Sequence, residues 1–92
     1  ESAKVSIVRS DAGRDKGKLF VVLAVEGEYL LLADGKGRRV EAPKRKKRRH
    51  VLFVAADESR LAGVPAETIA LYRASAKAAG KTGLRLTLQF PS

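Results

Sequence analysis

Leu19-Phe20-Val21-Val22-Leu23-Ala24-Val25 is an unbroken apolar run, and it limits the folds open to this chain. Successive side chains of a strand point to opposite faces, so a strand of this composition is apolar on both. Such a strand is stable where both faces are covered, or where it bends as a small barrel closes. Its β-branched and aromatic residues favour a strand over a helix. The run has seven residues, far short of the ~20 that span a bilayer. A 92-residue chain holds one domain, with a modest core that removes roughly 60–70% of the unfolded surface from water.

Around that run the first half reads as β. Residues 4–9 mix apolar and polar positions at near two-residue period, a short strand, and residues 10–18 form a polar, glycine-containing loop. Glu26-Gly27-Glu28 makes a tight turn into a strand over 29–33. Asp34-Gly35 is a favoured hairpin dipeptide, which predicts a return strand over 37–41. Pro43 opens a dense basic run, and 50–55 resumes a strand. Short strands joined by tight turns predict a mainly β fold, a small Src-homology-3-like barrel over 1–56. Residues 57–92 change character. A connector over 57–63 leads to a helix over 65–79, with Pro65 at its start and Glu67 near the positive end of its dipole. Ile69, Tyr72, Ala76 and Ala79 give one narrow apolar stripe, and Gly80 is the expected stop. Because much of that stripe is alanine, the helix is expected to lie close against the barrel. Leu84, Leu86, Leu88 and Phe90 alternate with polar residues, an additional terminal strand over 84–90.

Charge is distributed unevenly. Residues 36–50 carry nine Lys or Arg and one acid, +8 of a formal +9. A field concentrated in this way attracts a polyanion: nucleic acid first, an acidic membrane or an acidic protein tail second. Six consecutive cations, Lys44, Arg45, Lys46, Lys47, Arg48 and Arg49, repel one another, so a mobile loop that phosphates would order is expected there. Runs of this kind also serve as nuclear localisation signals. Arg38 and Arg39, on a strand, would face opposite sides. In the loop before the apolar run, Arg14, Lys16 and Lys18 alternate and would project from one side if the loop were extended. Gly17 would let backbone N–H groups approach a phosphate, or would only supply the positive φ of a solvated turn.

Ala12-Gly13-Arg14-Asp15-Lys16-Gly17-Lys18, set between two strands, resembles the KOW motif of ribosomal and transcription-elongation proteins, with Gly17 as its key glycine. Leu31-Leu32-Ala33-Asp34-Gly35, the basic return segment and Pro43-Lys44 extend the likeness to the fourteen-e type of large-subunit ribosomal protein and its small bacterial relatives. The resemblance covers about residues 4–54 and implies a KOW barrel that binds ribosomal RNA. The implied contacts are Arg14, Lys16, Gly17, Lys18, Lys36, Arg38, Arg39 and residues 44–49, in a cytoplasmic, ribosome-associated protein of the large subunit.

Aromatic residues are few. Phe20 and Phe53 lie in apolar strands and are expected in the core, which leaves Tyr29 as the fair candidate for base stacking. Scarce aromatics favour recognition of RNA backbone and shape over reading of single-stranded sequence. His50 is the only histidine and sits beside the six cations, suited to a structural or phosphate-adjacent role. No serine or threonine has an evident base partner, Asp57-Glu58 adjoin on a connector, and there is no cysteine. The sequence therefore points to a binding protein and not an enzyme, with no cofactor or metal implied. Two rival readings are a protein-interaction module whose basic run docks an acidic partner, and a DNA-binding factor. The second lacks a basic recognition helix, since 65–79 carries only Arg73 and Lys77 as cations. The chain begins at Glu1 and contains no methionine, which suggests a processed or trimmed start, and no signal-peptide pattern opens it.

Overall fold

A computed structural model describes residues 5–82. Five antiparallel strands form one sheet in the order β4-β3-β2-β1-β5, with a helix after them. The strands are β1 (Ile7–Ser10), β2 (Leu19–Glu26), β3 (Tyr29–Ala33), β4 (Lys44–Lys47) and β5 (Val51–Ala55), and the helix is α1 (Ala66–Thr82). A 3-10 turn, Arg48–His50, carries the chain from one end of the strand order to the other. β1 pairs with β2 on one side and β5 on the other, and β2, β3 and β4 follow in sequence, the small β-barrel-like fold with a C-terminal helix that the strand pattern predicts. The expected terminal strand 84–90 lies outside the described residues. No helix among the described residues is long and apolar enough to cross a membrane.

β2 is covered on both faces. Phe20 and Val22 are buried inside the barrel with Val8, Leu30, Leu32 and Val51. Val21 lies on the opposite face with Val5, Ile7, Leu61, Val64 and Tyr72, and Leu19, Leu23, Ile69 and Leu71 pack around this second cluster. Burying each such side chain stabilises the fold by roughly 1.5–3 kcal/mol, so neither cover is dispensable. Helix α1 is thus one wall of a two-layer core. Its working face is Thr68, Tyr72 and the half-buried Ile69 and Leu71. Ala76, expected on the apolar stripe, is exposed, because the helix meets the barrel through its first turns. The helix also passes the expected stop at Gly80 and runs to Thr82. A glycine inside a helix costs about 1 kcal/mol and does not by itself terminate it.

The Asp34-Gly35 pair does not make a two-residue hairpin. The Asp34 carboxylate accepts the backbone N–H groups of Lys36 and Arg38, each at 2.8 Å, and the Arg38 carbonyl accepts from Asp34 and Gly35. This aspartate-centred turn, followed by a second one closed from Ala42 N–H to Arg39 O, takes up the segment predicted as a return strand over 37–41. The return strand is the basic run itself, β4. That run is therefore paired and regular, contrary to the mobile loop predicted from its charge.

The β3–β4 loop also seats the helix. Thr68 Oγ1 donates to the Asp34 carbonyl at 3.1 Å, and Ile69 N–H bonds to Pro65 O at 3.0 Å to begin α1. At the helix's other contact, Arg73 donates to both carboxylate oxygens of Glu58, in the 3-10 turn Glu58–Arg60. Gly35 has φ +82°, and a Cβ there would stand 2.7 Å from the Glu67 carbonyl oxygen. Gly27, in the two-residue turn flanked by the Glu26–Tyr29 pair, has φ +62° and open space around it. Gly27→Ala should therefore cost about 1 kcal/mol of backbone strain alone. Gly35→Ala should cost about 2–3 kcal/mol, because strain and a backbone clash add. Urea midpoints of the two variants measure the difference, and equal losses would show that the loop does not press on the helix.

Candidate nucleic-acid interface

The pairing of β4 with β3 sorts the basic run into two sets. Lys44 lies opposite Leu32 and Lys46 opposite Leu30, both of which face the barrel interior. Arg45 lies opposite Leu31 and Lys47 opposite Tyr29, on the outer side. A lysine on the inner side is tolerable only where its ammonium can reach a partner at the barrel mouth. Both do. Lys46 Nζ donates to the Ala12 carbonyl at 2.6 Å, and Lys44 pairs with the half-buried Asp15 carboxylate. These contacts tie β4 to the loop between β1 and β2; Asp15 offsets the charge of Lys44, and the Ala12 carbonyl solvates that of Lys46.

On the outer side the Arg45 guanidinium lies 3.7 Å from the centroid of the Tyr29 ring, with Glu26 at 3.7 Å from its Nε. Lys47 Nζ stands 5.9 Å from the same centroid. Tyr29, the predicted stacking residue, is thus already stacked on an arginine. Beyond Lys47, Arg48 N–H donates to the Glu28 carbonyl and Asp11 N–H donates to the His50 carbonyl, each at 2.8 Å. The turn that contains His50 is pinned by its backbone to loops at both sides.

The β1–β2 loop is not extended. Residues Gly13–Asp15 form a 3-10 turn, with Gly13 and Gly17 at φ +79° and +92°. The N–H groups of Lys16, Gly17 and Lys18 donate to the carbonyls of Gly13, Ser10 and Asp15. They are committed to the turn, so Gly17 serves here as the left-handed residue of a closed loop and its N–H is not aimed at a ligand. What the loop offers is the exposed side chains of Arg14, Lys16 and Lys18. Their sequence alternation carries no directional meaning in a turn.

Lys36, Arg38 and Arg39 are exposed on the β3–β4 loop, so the opposite-face argument for the two arginines does not apply. Lys18 and Lys36 line one cleft of about 530 Å³ together with Gly17, Gly37 and the start of α1. The two basic loops therefore flank one cleft, and β4 is tied to the first of them through Lys44 and Lys46. The sequence reading missed one feature beside them. Leu52 and Phe53 are 49% and 47% exposed. Leu52 pairs with the exposed Arg9 and Phe53 with the buried Val8, in β5 at the end of the strand order, and no pattern in the apolar run announces that Phe53 stays half exposed there.

Asp34 is the acid at the junction of these loops. Burial alone would raise its pKa, but the N–H groups of Arg38 and Lys36 and the charge of Lys18 outweigh that, and it lies below the ordinary 3.8. A folded pKa below the unfolded one gives stability that is present above the unfolded value and is lost as pH falls through the folded value. Between pH 5 and pH 2 the wild-type protein should lose more stability than Asp34→Asn, the two curves converging in acid, as read from urea midpoints at each pH. Parallel curves would mean that the loop does not depend on that carboxylate. No protein-family model matches this chain, and no curated protein matches it either.

Proposed function

We propose that this protein binds structured RNA, ribosomal RNA in particular, as a ribosomal or ribosome-associated protein. The observation that carries the proposal is the tie between the basic strand β4 and the basic β1–β2 loop, through Lys46 to Ala12 and Lys44 to Asp15. Arg14, Lys16, Lys18, Lys36, Arg38, Arg39, Arg45 and Arg49 are exposed cations on or beside these segments. Arginines grip phosphate oxygens in pairs, lysines act as point charges, and several together follow a folded backbone. The helix offers little to a DNA groove, since Arg73 is engaged with Glu58. The sequence resemblance to KOW-motif ribosomal proteins points the same way.

Binding to a structured RNA hairpin should fall with salt at a log–log slope of about −3.5 to −4.5 if ~5 phosphates are neutralised. Replacing Arg14, Arg39 and Arg49 together by alanine should make that slope shallower by about 2–3 and leave the urea midpoint unchanged. Lys44→Ala should behave in the opposite sense, lowering stability by about 1 kcal/mol through loss of its partly buried pair. A triple variant with the wild-type slope would sink the proposal. Association with the large ribosomal particle is read separately, by co-sedimentation in a sucrose gradient at low and high salt.

A further inference from the structure

The strand order leaves β4 and β5 at its two ends, with the turn Arg48–His50 crossing between them. Beside that crossing a cleft of about 540 Å³ opens between the β2–β3 turn and β5. Such a volume lies within the roughly 300–1,000 Å³ typical of sites for small organic groups. Its floor is apolar: Val51, which is buried, with Leu52 and Phe53, which are half exposed. Phe53 lies opposite Val8 and so has the parity of the barrel interior, yet it sits at the mouth. Gly27 lines the facing wall, without a side chain to narrow the entrance.

The rim is cationic. Lys47 and Arg49 line the cleft, and Lys47 continues the strand whose Arg45 is stacked on Tyr29. An aromatic floor under a cationic rim suits a flat, apolar-faced group that carries negative charge at its edge. Glu28 lines the same wall, and its charge disfavours phosphate on the floor. The backbone therefore belongs on the rim and the base below it. A base held in a duplex cannot reach such a floor, whereas one extruded from the stack can.

We propose that the cleft takes one unpaired nucleotide displaced from an RNA helix, its base against Phe53 and its phosphates on Lys47 and Arg49. This rests on the RNA-binding reading and adds to it a structural preference, for helices interrupted by a bulge. The cleft adjoins the phosphate-binding face through β4, so one RNA can occupy both.

The test uses two RNA hairpins of the same stem, one fully paired and one with a single extra nucleotide, 2-aminopurine. The wild-type protein should bind the bulged hairpin about tenfold more tightly, with quenching of the 2-aminopurine fluorescence. Phe53→Leu keeps the apolar volume and removes the ring. It should reduce that preference to below about twofold, with the affinity for the paired hairpin unchanged. Equal, salt-dependent binding of both hairpins by the wild type, or proportional weakening of both by Phe53→Leu, would overturn this inference and leave the RNA reading standing. Salt-dependent binding of neither hairpin would overturn both. In that case, Phe53-dependent capture of an acidic peptide containing leucine and phenylalanine would assign the cleft to a protein partner.

Discussion

The architecture depends on the strand that cannot face water. β2 presents Phe20 and Val22 to one side and Val21 to the other, so the sheet must close over the first pair and something else must cover the second. Barrel closure and the docking of α1 answer the same demand from opposite faces. Burial of several large side chains on each side, at roughly 1.5–3 kcal/mol apiece, makes the helix integral to the domain. The helix in turn needs the β3–β4 loop, because Gly35 lies where any side chain would meet the Glu67 carbonyl. The loop that carries Lys36, Arg38 and Arg39 is therefore positioned by the core, through the helix.

How far the sequence could be read depended on the range of the interaction responsible. The β2 run, the turn at Gly27 and the helix beginning after Pro65 follow from local composition and periodicity, and each appears where the pattern places it. The return strand was misplaced because one carboxylate, Asp34, gathers two backbone N–H groups and turns a hairpin signal into a longer loop. Phe53, expected in the core from its apolar run, is half exposed because β5 stands at the end of the strand order, a matter of topology that the run itself does not carry.

The basic segment shows the same limit most clearly. Like charges in succession predict mutual repulsion and a mobile loop, and they would do so in an isolated peptide. In the fold, β pairing divides them between two faces, and the inner pair finds Asp15 and the Ala12 carbonyl. These partners are distant in sequence, so composition alone could not reveal them. The sequence did indicate that residues 12–18 and 36–50 belong together by chemistry, but not that Lys44 and Lys46 hold them together.

Among the described residues β4 is also an edge strand, and an edge strand offers backbone groups that invite another chain to add to the sheet. Here that edge is built entirely from Lys and Arg, Lys44–Lys47. Two copies meeting edge to edge would bring two such strands together at strand spacing, and although Asp15 and Glu26 offset Lys44 and Arg45, the excess positive charge works against that pairing. The charge that favours a polyanion thus also guards the sheet against its own kind, and a bound polyanion that neutralises it would weaken that guard.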